Sequence, residues 1–185
     1  KSTLVNALVG QKVAIVSPKA QTTRARLMGI ALQGDAQILL VDTPGIFVPN
    51  RRLDRAMVKA GWEGAGDADR VVLVIDAAAK LGGKVEQMIE GVEARSEPRI
   101  LVLNKVDIAK KEQLLVLAAG LSERLKPEAV FMISASTGDG VPELKAHLAS
   151  AMPEGPWHFP EDQLTDVTDR MVAAELTREQ LYLQL

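Results

Sequence analysis

Apolar runs separated by amphipathic stretches set the expected architecture. Leu27-Met28-Gly29-Ile30-Ala31-Leu32 and Gln37-Ile38-Leu39-Leu40-Val41 read as two strands joined at Gly34-Asp35, and so short a polar turn makes them an antiparallel hairpin. Arg70-Val71-Val72-Leu73-Val74-Ile75-Asp76, Arg99-Ile100-Leu101-Val102-Leu103 and Val130-Phe131-Met132-Ile133 are almost continuously apolar, as strands buried on both faces are. Helical periodicity fills the intervals. Leu4 to Val9 is stopped by Gly10. Lys84 to Arg95 carries Val85, Met88, Ile89 and Val92 on one face. Lys111 to Lys126 turns Leu114, Leu117, Leu121 and Leu125 inward as core and ends at Pro127, and Pro142 to Met152 follows. Strands alternating with helices long enough for crossovers predict an α/β fold. Its sheet is mostly parallel and covered on both faces, with one antiparallel edge from the hairpin.

Two stretches break this rhythm. Residues 11–25 are polar and irregular and contain Pro18, so they read as a loop. Residues 46–69 form a variable loop with a helix from Leu53 to about Trp62, weakened by Gly61, Gly64 and Gly66, a composition suited to a mobile switch. Near Met152 the character changes again. Pro153, Gly155, Pro156 and Pro160 make a stiff linker in which Trp157 and Phe159 are expected to pack on a neighbouring domain. From Asp166 a further helix begins, with Met171, Ala174, Leu181 and Leu185 on a face that has no partner. The expected organisation is one domain over residues 1–152, a linker over 153–165, and over 166–185 the first helix of a second domain, incomplete here.

Composition narrows the chemistry. The chain has 185 residues, 47% of them hydrophobic, enough to bury one core well. A net charge of −2 supplies no basic field for nucleic acid. The absence of Cys excludes disulfides and thiolate metal sites. His147, read as a surface residue, and His158 are too few and too scattered for zinc. No apolar run is long enough to span a membrane, and no signal peptide opens the chain.

The candidate chemistry sits where strands end, at the carboxyl edge where open α/β folds bind ligands. Asn104-Lys105-Val106-Asp107 closes one buried strand. The Asp107 carboxylate suits a base edge that offers two donors, as guanine does. Adenine would leave that acceptor unpaired, which is costly. The Lys105 stem can lie along the base, and Asn104 can tie the loop to its neighbours. Ser134-Ala135-Ser136, after the last strand, can pass a backbone N–H to the guanine oxygen, with Ala135 leaving room for the base. At the other end, Lys1-Ser2-Thr3 opens a helix as the close of a phosphate loop does. Lys1 would meet the β- and γ-phosphates and Ser2 would ligate Mg²⁺. Asp42-Thr43-Pro44-Gly45 follows the hairpin, and Asp42 could hold Mg²⁺ through a water while the Gly45 N–H approaches the γ-phosphate. Thr22 and Thr23 could each complete the Mg²⁺ shell from a mobile loop, with Thr23 preferred. Ile46 stands where a water-orienting Gln serves Ras-type enzymes, and an isoleucine cannot hydrogen-bond water.

Together these residues resemble the Era family within the P-loop GTPases. The resemblance runs through Lys1-Ser2-Thr3-Leu4, Lys19-Ala20-Gln21-Thr22-Thr23-Arg24, Asp42-Thr43-Pro44-Gly45, Asn104-Lys105-Val106-Asp107 and Ser134-Ala135-Ser136, then His158-Phe159-Pro160-Glu161-Asp162-Gln163, Thr165-Asp166, Glu175 and Arg178-Glu179. It implies a Ras-like P-loop GTPase fold followed by an α+β KH domain that binds RNA. GTP and GDP would be held by Lys1, Ser2, Thr3, Asp42, Thr43, Pro44, Gly45, Ile46, Asn104, Lys105, Val106, Asp107, Ser134, Ala135 and Ser136, with Mg²⁺ on Ser2, Thr23 and Asp42. Lys1, Thr23 and Gly45 would carry slow hydrolysis, with the water placed by the switch backbone, by K⁺ or by the ribosome. The resemblance further implies 16S rRNA and the 30S ribosomal subunit as partners, and a cytoplasmic monomer with peripheral inner-membrane association. Competing readings are an assembly chaperone gated by nucleotide with negligible hydrolysis, the GTPase module of a tRNA-modification protein, and an ATP-using P-loop enzyme, against which Asp107 argues. Because the nucleotide-clamping Gly-x-x-Gly loop of a KH domain is absent, residues 1–185 are expected to bind RNA poorly.

Overall fold

The computed structural model describes residues 1–16, 27–42, 68–94 and 96–184. In chain order they form α1 (Ser2–Val9), β1 (Leu27–Gln33), β2 (Ala36–Asp42), β3 (Val71–Asp76), α2 (Gly83–Glu93), β4 (Arg99–Asn104), α3 (Lys111–Leu125), β5 (Ala129–Ile133), α4 (Val141–Ser150) and α5 (Asp169–Gln184). The helix expected from Leu53 to Trp62 lies outside the described residues.

β4 shows why the layers form. Ile100 and Val102, both 0% exposed, point to one face and pack with Leu4 and Leu8 of α1 and Leu144 and Leu148 of α4. Leu101 and Leu103 point to the other face and meet Ile89 and Val92 of α2 and Leu114, Leu121 and Leu125 of α3. Alternate side chains of a strand must face opposite ways, so a run of apolar residues needs helices on both sides. Each such burial contributes about 1.5–3 kcal/mol. The leucines of α3 turn inward as their spacing predicts, with Leu117 partly buried beside them.

β3, β4 and β5 pair in parallel, with Val74 beside Val102 and Val102 beside Phe131. β1 and β2 pair antiparallel from Leu27–Asp42 to Gln33–Ala36, closing the hairpin at Gly34-Asp35. The described strands thus make two hydrogen-bonded sets. Between them lies a mainly apolar cleft of about 420 Å³, lined by Leu40 of β2, Val72 and Val74 of β3, Leu4 and Leu8 of α1, and Leu148.

Two glycine turns fix helix ends. Gly10 ends α1 in a left-handed conformation, φ 86. Gly140 precedes α4 with φ 70, and a Cβ there would lie 2.7 Å from the Met132 carbonyl oxygen, so only glycine fits both the backbone and the space. His147 is not a free surface residue: it is half-buried, its ring 5.2 Å from that of Phe131. No helix among the described residues is long and apolar enough to cross a membrane.

The linker is docked rather than free-standing. Trp157 Nε1 donates to the Asp35 carbonyl at 2.8 Å. Gln37 Oε1 accepts from the His158 and Phe159 amides at 2.9 and 3.0 Å, and Gln37 Nε2 donates to the Phe159 carbonyl at 2.9 Å. Further on, Ile30 N–H reaches the Leu164 carbonyl, Thr165 forms a bridge with Gly29, and Met28 N–H reaches Asp166 Oδ1 at 3.1 Å. Because residues up to Asp166 are engaged along β1, α5 starts at Asp169 rather than at Asp166. Its Met171 and Leu181 are 54% and 53% exposed, as the pattern predicts, whereas Glu179 on another face is 2% exposed. Leu185 lies outside the described residues.

Candidate functional site

The amino end of α1 and the carboxyl ends of β2, β4 and β5 supply the predicted side chains. Lys1 caps α1, its carbonyl accepting from the Leu4 and Val5 amides. The Ser2 hydroxyl donates to Asp42 Oδ2 at 2.8 Å, with both residues buried at 8% and 3% exposure. Two oxygen-bearing side chains from separate elements therefore meet beside a helix amino terminus, where backbone N–H groups favour an anion. Desolvation lowers the Lys1 side-chain pKa from its ordinary value and the Asp42 carboxylate opposes that shift, although much of Lys1 still meets solvent. An arriving phosphate would favour the charged form again. Thr3 is half-buried on the first turn of α1.

The other end of the site is built on β4. Asn104 is 8% exposed, and its Oδ1 accepts from the Ala135 amide at 2.9 Å, tying the end of β4 to the turn after β5 as its position predicts. In that turn Ser134 is fully buried and its hydroxyl lies 3.0 Å from that of Ser136, while Ser134 N–H reaches the Asp139 carbonyl. Val106 N–H reaches the Ile133 carbonyl. Lys105 takes a left-handed backbone, φ 68, unusual for a side-chain-bearing residue. Asp107 is exposed, so its carboxylate is open to a ligand.

Asp76 belongs to this site and was not singled out by sequence reasoning. It sits beside Asn104 in the strand register. Its Oδ2 is 2.6 Å from Lys105 Nζ, and its Oδ1 accepts from the Ala78 amide at 3.0 Å. The ion pair aims the Lys105 stem across the strand ends. The signal available in the sequence was an acid closing a buried strand next to the one closed by Asn104. Asp76 and Asn104 end adjacent parallel strands, so both lie on the same edge of the sheet. Thr22, Thr23, Thr43, Pro44, Gly45 and Ile46 lie outside the described residues.

The donor set suits a hard divalent cation shared with a phosphorylated ligand. One hydroxyl and one carboxylate are too few to hold Mg²⁺ alone but enough when phosphate oxygens and waters complete the shell. Among the described residues no cluster of three or more His, Cys, Asp or Glu could hold a metal by itself.

Comparison with known proteins agrees with this geometry. Residues 1–105 match the profile of a family described as 50S ribosome-binding GTPase. The chain is 59% identical over its whole length to the GTPase Era of Erythrobacter litoralis, of which it covers 62%. It superposes with a TM-score of 0.89 and 36% identity on a crystal structure of Era in complex with MgGDPNP and nucleotides 1506–1542 of 16S ribosomal RNA, covering 97% of this chain and 61% of that one. A crystal structure of Aquifex aeolicus Era bound to GDP and tetrafluoroaluminate gives a TM-score of 0.88 at 36% identity, covering 97% of this chain and 62% of that one. The chain therefore spans about three fifths of the length of these relatives.

Proposed function

The chain belongs to the Era GTPases, within the 50S ribosome-binding GTPase family, and from that premise we propose that it is the nucleotide-binding part of a GTP-hydrolysing switch acting in 30S subunit assembly through 16S rRNA. The observation that carries the reading is the arrangement along one rim. Ser2 and Asp42 meet at the phosphate end, and Asn104 holds the Ala135 turn beside an open Asp107 at the base end.

In this reading Asp107 accepts from the ring N–H and exocyclic amine of guanine, and the Lys105 stem, steadied by Asp76, covers the base. The 134–136 turn closes the far side. Lys1 meets the β- and γ-phosphates, while Ser2 directly and Asp42 through a water hold Mg²⁺. When bound, Mg²⁺ neutralises charge on the phosphates. Thr3, Val106, Thr43, Pro44, Gly45 and Ile46 line the nucleotide. Thr23 and Gly45 sense the γ-phosphate and, with Lys1, carry slow hydrolysis. Ile46 cannot orient water, so the switch backbone, K⁺ or the ribosome must place it. A nucleotide-gated chaperone with negligible hydrolysis is the second reading, and Ile46 is what favours it. Phosphate release over many turnovers with ribosomal subunits present separates the two.

The cleft between β2 and β3 has the apolar lining a buried strand requires. We place there a strand leading into Lys1, which would join the two sets into one sheet and bring phosphate-loop glycines to α1. We place the opening of a KH domain at α5, whose exposed Met171 and Leu181 suit burial against further chain.

The test is competition binding of GTP against ATP, for the full-length protein and for Asp107→Ala. GTP is expected to win by a factor of at least about a hundred, and the substitution to remove the preference. Equal binding of the two nucleotides, or an unchanged preference in the variant, would sink the reading.

A further inference from the structure

Asp76 closes β3 as Asn104 closes β4, and the two residues are partners in the strand register. The end of β3 is tied to the end of β4 twice. Ala77 N–H donates to the Asn104 carbonyl at 2.8 Å, and Asp76 Oδ2 lies 2.6 Å from Lys105 Nζ. The other carboxylate oxygen, Oδ1, accepts the Ala78 N–H at 3.0 Å. The carboxylate is thus gripped by its own backbone, so it anchors the lysine instead of following it. Lys105 itself has φ 68, a left-handed backbone that costs free energy for a residue with a Cβ. Its carbonyl accepts the Ile108 N–H, and the next amide, that of Val106, is held by the Ile133 carbonyl.

As a stabiliser of the fold the Asp76–Lys105 pair is weak. The lysine and aspartate side chains are 50% and 37% exposed, and ion pairs that meet water contribute little. As a positioner it is effective. A lysine side chain has many rotamers and loses that freedom when its stem is laid on a ligand. With Nζ anchored at the end of β3, part of that loss is taken on folding instead of on binding. The stem is a chain of CH₂ groups with neither donor nor acceptor. Its contact with the face of a flat base depends on the area covered, whatever groups the edge of the base carries. Reading the edge falls to Asp107, which is exposed two residues further on.

We propose that Asp76 is a positioning residue that, through Lys105, sets how tightly the site holds a purine nucleotide, while the choice among purines stays with Asp107. This rests on the reading of these strand ends as a guanine-nucleotide site. Strength and selectivity of binding then come from two different acids, one ending β3 and one following β4, and each can change without the other.

The test measures dissociation constants for GDP, ADP and inosine diphosphate, which lacks the exocyclic amine of guanine. It uses the full-length protein, Asp76→Ala, Asp76→Asn, Lys105→Ala and the double variant Asp76→Ala/Lys105→Ala. Asp76→Ala should weaken GDP and inosine diphosphate by about three- to tenfold each and leave their ratio within about twofold of wild type. Asp76→Asn keeps an acceptor for the Ala78 amide but drops the charge, and should also weaken both by at least about threefold. In the Lys105→Ala background, removing Asp76 should change either constant by less than about twofold. A residue with a purely structural role would weaken binding with or without Lys105, so additive losses in the double variant overturn the proposal. So do an unchanged affinity in Asp76→Ala, an asparagine variant that binds as wild type does, and a GDP to inosine diphosphate ratio that collapses in Asp76→Ala. Wild-type protein that prefers GDP neither to ADP nor to inosine diphosphate would instead refute the guanine reading itself.

Discussion

Single residues at this site do work that depends on who sits opposite them. The tie from Asn104 to Ala135 was legible in sequence, because a polar residue closing a buried strand must find a partner and the neighbouring strand's turn is within reach. The pairing of Lys105 with Asp76 was not, since nothing local links a lysine after one strand to the last residue of another. Glu179 was the least legible of all. A glutamate in an amphipathic helix reads as solvated, and its partner Val16 is 163 positions away. Gly140 is a position where the residue scale gives a firm number. Any Cβ there meets both a left-handed backbone and the Met132 carbonyl oxygen, so Gly140→Ala should cost about 2–3 kcal/mol in urea unfolding. A loss below about 0.5 kcal/mol would mean that the turn relaxes freely.

Among the elements, strands and core helices followed the pattern of apolar positions closely, with ends shifted by only a residue or two. The deviations have one cause: engaged side chains and amides move boundaries. α5 begins after Asp166 because that stretch runs along β1. The Pro-rich stretch reads as a stiff linker with Trp157 and Phe159 against a neighbouring domain, and Trp157 does reach the hairpin, helped by Gln37, whose part no local pattern shows. The docking of α5 should depend on pH. Desolvation raises the Glu179 pKa, but hydrogen bonds from Lys12 and the Val16 amide outweigh it, leaving the pKa below the ordinary 4.5. A carboxyl held lower in the folded state contributes stability that is full above the unfolded pKa and is lost as pH falls through the folded one. The stability gap between wild type and Glu179→Gln should therefore be open at neutral pH and close as pH falls below about 4.5. A gap that widens in acid would contradict this sign.

At the scale of the whole molecule, the α/β layering was legible because β4 must be covered on both faces. The division of the described strands into two sets was not, because pairing partners of an edge are invisible to periodicity. Charge is the remaining global property. A net charge of −2 offers little phosphate neutralisation, and nucleic-acid affinity grows with the number of phosphates neutralised. Residues 1–185 alone should bind 16S rRNA more weakly than micromolar at physiological salt. Filter binding that finds submicromolar affinity would overturn that expectation and move the RNA contact onto the nucleotide-binding body.

The Ser2–Asp42 hydrogen bond has a consequence for how a cation would be loaded. A hydroxyl that donates its proton to Asp42 can still ligate through its oxygen, so a bare ion would shed tightly held waters for one direct protein ligand. Such an exchange is unfavourable. The cation should therefore enter as cargo already chelated by the incoming nucleotide, whose phosphates supply the ligands the protein lacks, while the Ser2–Asp42 bond stays in place.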